Sequence, residues 1–359
     1  MKSAEEFFGR TPEADAYAPG RVNLLGEHTD YNLGFVLPIA TPQRTYVALS
    51  HSANGLCRLY SATLDQCVSF ERGGDLPWGF ASYIEGCMRM VDEYGVRVPS
   101  LDVYVDSTVP MGSGLSSSAA LEVAMLRAVR KLLGLEFDDV ALAKMAQQAE
   151  IRFAGVMCGL MDQMASSVAD REHMLFLDIR SLERRLMPLP EGSELIVIDS
   201  GVPRKLSASK YNERRSECEQ AARLLGVSSL RDAPGLAQIE RLPQPLRARA
   251  RHVFTENARV QEAGGGVDAV RFGELMNASH QSLKDDFEVS IPALDRLTEL
   301  LRAQEDVYGA RLTGAGFGGA CVALCRKGVA AGVSARVLMQ YNDGGQQGRI
   351  LLPESASPV

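Results

Sequence analysis

The chain has 359 residues, 46% of them hydrophobic and 23% charged, and a formal net charge of −7. That length suits two domains better than one, and the negative balance argues against nucleic acid as the main partner, because a phosphate backbone demands a basic footprint. Seven scattered cysteines (Cys57, Cys67, Cys87, Cys158, Cys218, Cys321 and Cys325) contain no CxxC pair, which speaks against both a disulfide framework and a zinc site. The acidic N-terminal stretch lacks an apolar export core, and no run approaches the roughly 18 apolar residues of a membrane span. The expectation is a cytoplasmic protein that binds neither membrane nor nucleic acid.

In chain order, the first distinctive element is polar. Residues 20–38, GRVNLLGEHTDYNLGFVLP, carry Arg21, Asn23, Glu27, His28, Asp30 and Asn32 among apolar and glycine neighbours. A core strand would not bear that load, whereas directional hydrogen-bonding groups at this density suit a small molecule rich in hydroxyls. Residues 45–62 and 101–110 alternate apolar and polar side chains as strands do, the latter just before a glycine-rich turn. Residues 118–133 read as a helix stopped by Gly134, and residues 138–156 as a second helix with Asp138 as its N-cap. Strands are expected between 170 and 200, and the domain boundary with them, giving domains 1–180 and 181–359. A helix over 212–225, a loop at glycines 264–266 between two helices, and strands around Ala310 and Ala320 complete the pattern.

Residues 109–124, VPMGSGLSSSAALEVA, set Gly112 and Gly114 before Ser116, Ser117 and Ser118 at the mouth of a helix. Glycines let the backbone approach a phosphate closely, and first-turn N–H groups and the helix dipole favour an anion there. A plain serine N-cap after a glycine turn reads the same way. No Walker A sequence and no protein-kinase motif set occurs, so a phosphate-moving protein would need another fold. Residues 311–324 satisfy G-x-G-x-x-G through Gly314, Gly316 and Gly319, which raises a dinucleotide fold; yet ACVALC after Gly319 could be strand as easily as helix. Asp162, in CGLMDQMASS, reads either as a core-paired carboxylate or as a functional one. Glu150 joins the apolar stripe of Leu142 and Ala146, where it could snorkel to the boundary or meet a magnesium ion.

Residues 20–38 closely resemble the galactokinase signature, GLSSSAA resembles the ATP loop of the GHMP small-molecule kinases, and residues 311–324 match a further glycine loop of that family. Three longer segments, QQAEIRFAGVMCGLMDQ, VIDSGVPRKLSASKYNERRSECEQAARLLG and MNASHQSLKDDFEVSIPALDRL, are similar to family segments in the same order. The resemblance implies an α/β (α+β) two-domain GHMP kinase fold with its active site in the cleft between the domains. It implies galactose and ATP as substrates, Mg2+ accompanying ATP, and galactose 1-phosphate as product. Sugar-binding positions would be Glu27, His28, Thr29, Asp30, Gly159, Asp162 and Tyr211. The ATP loop would comprise Gly112, Ser113, Gly114, Leu115, Ser116, Ser117 and Ser118, with Ser118 and Glu150 holding magnesium. Asp162 would be the catalytic base, and Arg21 would stabilise the transferring charge. Leu33 departs from the family's usual glycine or small polar residue before Gly34. A monomer or weak homo-oligomer is expected. A sister sugar-1-kinase for N-acetylgalactosamine, arabinose or a uronic acid would share these motifs. So would a non-catalytic galactose and ATP sensor, although the intact run from Ser116 to Ala119 weighs against it.

Overall fold

A computed structural model describes residues 2–203 and 207–354. The chain forms two compact units, one of Met1–Arg21, Ala40–Met111 and Ser116–Ala169, the other of Val22–Ile39, Gly112–Leu115 and Asp170–Val359. The single boundary expected near residue 180 does not describe this division, because two early segments cluster with the later half. Backbone hydrogen bonding explains the first of them: Gly26 N–H donates to Glu256 at 2.8 Å and Phe35 N–H to Asn257 at 2.9 Å. Both acceptors lie on helix Leu246–Gly264. Buried backbone donors need partners, and here helix side chains supply them.

The first unit is built on a five-stranded sheet in the order Ala14–Asn23, Pro38–His51, Leu101–Ser107, Cys57–Ser61, Gln66–Phe70. Leu101–Ser107 pairs antiparallel with Pro38–His51 and parallel with Cys57–Ser61. Apolar faces of helices Phe80–Glu93, Ser117–Leu133 and Asp139–Ala149 pack with it around Val47, Leu59, Ile84, Met88, Val103 and Leu126. Asp138 caps its helix as expected, accepting from Ala141 N–H at 2.7 Å. That helix does not run to 156. At Glu150 the backbone widens into a π-helical turn, Glu150–Ala154, closed by Gly155 at φ 74°. Such single wide turns re-aim a side chain at functional positions.

The second unit holds an antiparallel sheet ordered Val307–Thr313, Ala320–Arg326, Ser193–Asp199, Arg349–Leu352, and a smaller sheet of Phe35–Val36, His173–Asp178 and Arg184–Pro188. Its core gathers Ile196, Ile198, Phe287, Leu297, Leu312 and Tyr341. Glycines 314, 316 and 319 sit in a loop joining two antiparallel neighbours. No helix opens after Gly319, so the dinucleotide reading of that loop fails: there is no helix N-terminus for a pyrophosphate. Among the described residues, no helix is long and apolar enough to cross a membrane.

Candidate active site

Strand Ala14–Asn23 delivers Arg21, only 3% exposed, to the first turn of helix Met161–Val168. There its Nε and Nη2 donate to Oδ1 and Oδ2 of Asp162, each at 2.7 Å. This forked pairing fixes the plane of the carboxylate. Ser116 donates its hydroxyl to the same carboxylate. That bond replaces a helix cap, since Ser116 directly precedes helix Ser117–Leu133 at φ 59°, ψ 57° and makes no side-chain capping bond. Holding a non-glycine residue in this left-handed region costs on the order of 1–3 kcal/mol. The first-turn N–H groups thus lack a side-chain cap, which suits an anion.

Glu150, at the head of the π-helical turn, is 6% exposed. Burial pushes its carboxyl up to about 7, the charge of Asp162 adds to this, and hydrogen bonds with Ser118, Cys158 and Gln163 oppose it. Gln163 Nε2 donates to Glu150 Oε2 at 2.6 Å and lies 3.2 Å from Glu122 Oε2. Gly159 is buried just ahead of helix Met161–Val168. Beside Ser117 and Ser118 opens a cavity of about 250 Å³ walled by Phe80, Tyr83, Met111 and Leu121.

In the second unit, Glu27, His28, Thr29 and Asp30 are all buried. Glu27 accepts from Arg311 Nη2 at 2.5 Å, and Arg311 is itself 0% exposed. Burial, with the charges of His252, Arg214 and Arg311, drives the His28 imidazole well below its ordinary range against the pull of the Ala315 carbonyl. A neutral ring whose Nε2 lies 3.3 Å from that carbonyl donates through Nε2, so Nδ1 accepts from Tyr31 Oη at 3.0 Å. The ring of Tyr211, on helix Ser207–Leu225, lies 5.5 Å from that of His28 and 5.4 Å from that of Tyr31. The Thr29 hydroxyl donates to the carbonyls of Gly26 at 2.8 Å and Phe35 at 2.7 Å. That bond braces the loop, and the oxygen keeps its capacity to accept. Gly112, Ser113, Gly114 and Leu115 cluster with this unit, and Ser116, Ser117 and Ser118 with the other.

Comparison with known proteins matches three stretches to family descriptions: the galactokinase galactose-binding signature at residues 5–51, the GHMP kinases N terminal domain at 82–169 and the GHMP kinases C terminal at 267–343. The chain is 41% identical over 336 residues to the galactokinase of Roseiflexus sp. (strain RS-1), covering 90% of this chain and 86% of that one. It is 40% identical over 329 residues to the galactokinase of Thermotoga petrophila, covering 90% and 93%. The chain belongs to the galactokinase family of GHMP kinases. The crystal structure of Lactococcus lactis galactokinase complexed with galactose matches with a TM-score of 0.89 at 31% identity, covering 96% of this chain and 94% of that one. A mevalonate kinase matches at 18% identity with a TM-score of 0.68, which shows the shared fold.

Magnesium, which a GHMP kinase would bring in with ATP, fits the donors present. Ser118 and Glu150 offer hard oxygens in mutual contact, and a buried carboxyl raised to about 7 is one that a cation would favour in its charged form. Among the described residues no cluster of three or more His, Cys, Asp and Glu is arranged for a metal. Few protein ligands is what magnesium selects when phosphates and waters complete its shell.

Several groups escape sequence reasoning. Glu122 lies one turn beyond Ser118 on an apolar helix and is 0% exposed; the stripe argument that singles out Glu150 would have found it. Arg311, a lone cation in the apolar strand Val307–Thr313, carries a similar signal. Phe80 and Tyr83 carry none beyond helical spacing, since two aromatics at i, i+3 usually mark core.

Proposed function

We propose that the protein is an ATP-dependent galactose 1-kinase, transferring the γ-phosphate of ATP to the C1 hydroxyl of α-D-galactose to give galactose 1-phosphate and ADP. The observation that carries this reading is the Arg21–Asp162–Ser116 constellation at the uncapped start of helix Ser117–Leu133, in a chain of the galactokinase family.

Phosphoryl transfer asks the protein to align two reactants and to neutralise moving charge. Asp162 accepts the proton of the C1 hydroxyl as its oxygen bonds to the γ-phosphorus and the bridging bond to the β-phosphate breaks, releasing ADP. Arg21 fixes the Asp162 carboxylate and offsets negative charge on the transferring oxygens. Residues 112–118 offer backbone N–H groups to the phosphates, and the aromatic-walled cavity beside Ser117 and Ser118 receives the purine. Ser118 and Glu150 would hold the magnesium ion, which when bound neutralises phosphate charge. Glu27, His28, Thr29, Asp30, Gly159 and Tyr211 contact the sugar. None of the seven cysteines is joined in a disulfide among the described residues, which suits a reducing cytoplasm, and a monomer or weak homo-oligomer is the expected state.

Phosphorus NMR of a reaction with ATP, magnesium and galactose tests the assignment. The expected product shows a phosphate coupled to the anomeric proton, with one ADP per sugar consumed. Galactose binding without any ADP release would instead favour a sensor.

A further inference from the structure

Two buried side chains near the proposed magnesium site are not accounted for by the reaction. Glu122 and Gln163 are both 0% exposed. Glu122 sits on helix Ser117–Leu133 one turn after Ser118, and Gln163 directly follows Asp162 on helix Met161–Val168. A buried carboxylate is costly unless its oxygens are matched. Glu122 is only half matched: Oε2 lies 3.2 Å from Gln163 Nε2, while Oε1 has no hydrogen-bond partner among the described residues. Stability alone does not explain keeping such a group, since a leucine of similar size would avoid the orphaned oxygen.

The chemistry of the Gln163 amide supplies a reason. A glutamine head has a donor end and an acceptor end, and only the orientation tells them apart. Here the donor nitrogen faces both Glu150 Oε2, at 2.6 Å, and Glu122 Oε2, while the amide oxygen of Gln163 has no hydrogen-bond partner among the described residues. Turned over, the amide would set oxygen against two carboxyl oxygens. With Glu122 gone, half of that preference disappears and the amide oxygen can turn toward Glu150, displacing its carboxylate.

We propose that Glu122 is a positioning residue: it holds the Gln163 amide nitrogen-first toward Glu150, so that Glu150 presents its carboxylate to the metal ion that accompanies the nucleotide. This rests on the magnesium role given to Glu150 above. It assigns a task to two residues that touch neither sugar nor phosphate.

The test uses Mn2+ as a spectroscopic probe, with binding to the protein and a non-hydrolysable ATP analogue followed by electron paramagnetic resonance. Galactose affinity by calorimetry and Tm are measured on the same samples. Glu122→Leu is expected to weaken Mn2+ binding about tenfold, the lower end for loss of a group that orients a metal ligand. Galactose affinity should stay within about twofold, and Tm should hold or rise because the orphaned oxygen is gone. Glu122→Gln, which keeps an acceptor oxygen, should retain wild-type Mn2+ affinity, and Gln163→Met should lose about as much as Glu122→Leu. Mn2+ binding by Glu122→Leu or Gln163→Met equal to wild type would overturn the proposal. So would parallel losses of Mn2+ binding, galactose binding and Tm, which mark a merely structural role, or equal losses in Glu122→Gln and Glu122→Leu. If the unaltered protein with nucleotide binds no Mn2+, the magnesium reading fails first and this inference falls with it.

Discussion

Asp162 has both carboxylate oxygens engaged, by the fork of Arg21 and the hydroxyl of Ser116, and remains partly open to solvent at 28% side-chain exposure. Asp162→Asn is expected to keep galactose binding while lowering kcat on the order of 10²–10⁴-fold. Because the change leaves the buried Arg21 with a weaker partner, melts with and without galactose accompany the assay, and near-normal turnover would reduce Asp162 to a structural pair with Arg21. Ser118 and Glu150 share one task in this account. Ser118→Ala and Glu150→Gln should each raise the magnesium requirement, and the double variant should lose less than the product of the two single losses; strict additivity in steady-state kinetics would separate them. At this scale the sequence was informative wherever a polar group stood in apolar surroundings, as Asp162 and Glu150 do. It did not show that Thr29 spends its hydroxyl proton on the carbonyls of Gly26 and Phe35, because which carbonyls a buried loop engages is decided by the folded backbone.

Two glycines show what the elements demand. Gly112 and Gly26 both hold positive φ, at 73° and 92°. A Cβ at Gly112 would meet nothing within 4 Å, whereas one at Gly26 would lie 2.5 Å from the Phe35 carbonyl oxygen and 2.7 Å from Val36 Cα. Gly112→Ala should therefore cost about 1 kcal/mol of backbone strain. Gly26→Ala should cost about 3 kcal/mol or more, because overpacking is added; chemical denaturation midpoints measure the difference, and equal losses would contradict it. Leu33, the departure from the family pattern, sits at φ 56° and is clamped by Arg231, which donates to its carbonyl at 2.9 Å. The sequence marks that position as unusual, and its backbone conformation shows why a glycine suits it better.

Histidines on two helices give the elements a pH dependence. Burial pulls His252 down to about 4, and it pulls His280 to about 4 with the charge of Arg302 assisting. Between their ordinary value near 6.5 and about 4, the unfolded chain binds protons that the folded one refuses, so stability is full above 6.5 and falls as pH falls. Each such group lowers stability by about 1.4 kcal/mol per pH unit across that window. The raised carboxyls of Glu150 and Glu122 act in the opposite sense, so the test is differential: from pH 7.5 to pH 5 the Tm of His252→Gln should fall less, or rise more, than that of the unaltered protein. Equal changes in the two proteins would contradict this. The helices carrying these residues were legible from the glycine break at 264–266, but the burial that makes their histidines neutral was not.

At the scale of the whole molecule, the glycine loops, the strand-helix alternation and the family resemblance were all readable along the chain. The division into units was not, because residues 22–39 join the later half through hydrogen bonds such as Gly26 to Glu256, across 230 positions of sequence. Periodicity reports local structure and carries no record of such closure. Substrate choice sits at the same scale, since it depends on side chains gathered from distant segments. Galactose and glucose differ only in the orientation of the C4 hydroxyl, and a buried charged acceptor left unsatisfied by the wrong epimer costs about 1–3 kcal/mol, or roughly tenfold and more in specificity. Asp30, 6% exposed, is the proposed acceptor. The most direct measurement is kcat/KM for ADP release over a panel of galactose, glucose, N-acetylgalactosamine, arabinose and galacturonic acid. Galactose is expected to lead glucose by at least about tenfold, with Asp30→Ala narrowing the gap by lowering activity on galactose. Equal use of glucose, or a C2-acetamido or uronic sugar outperforming galactose, would contradict the assignment.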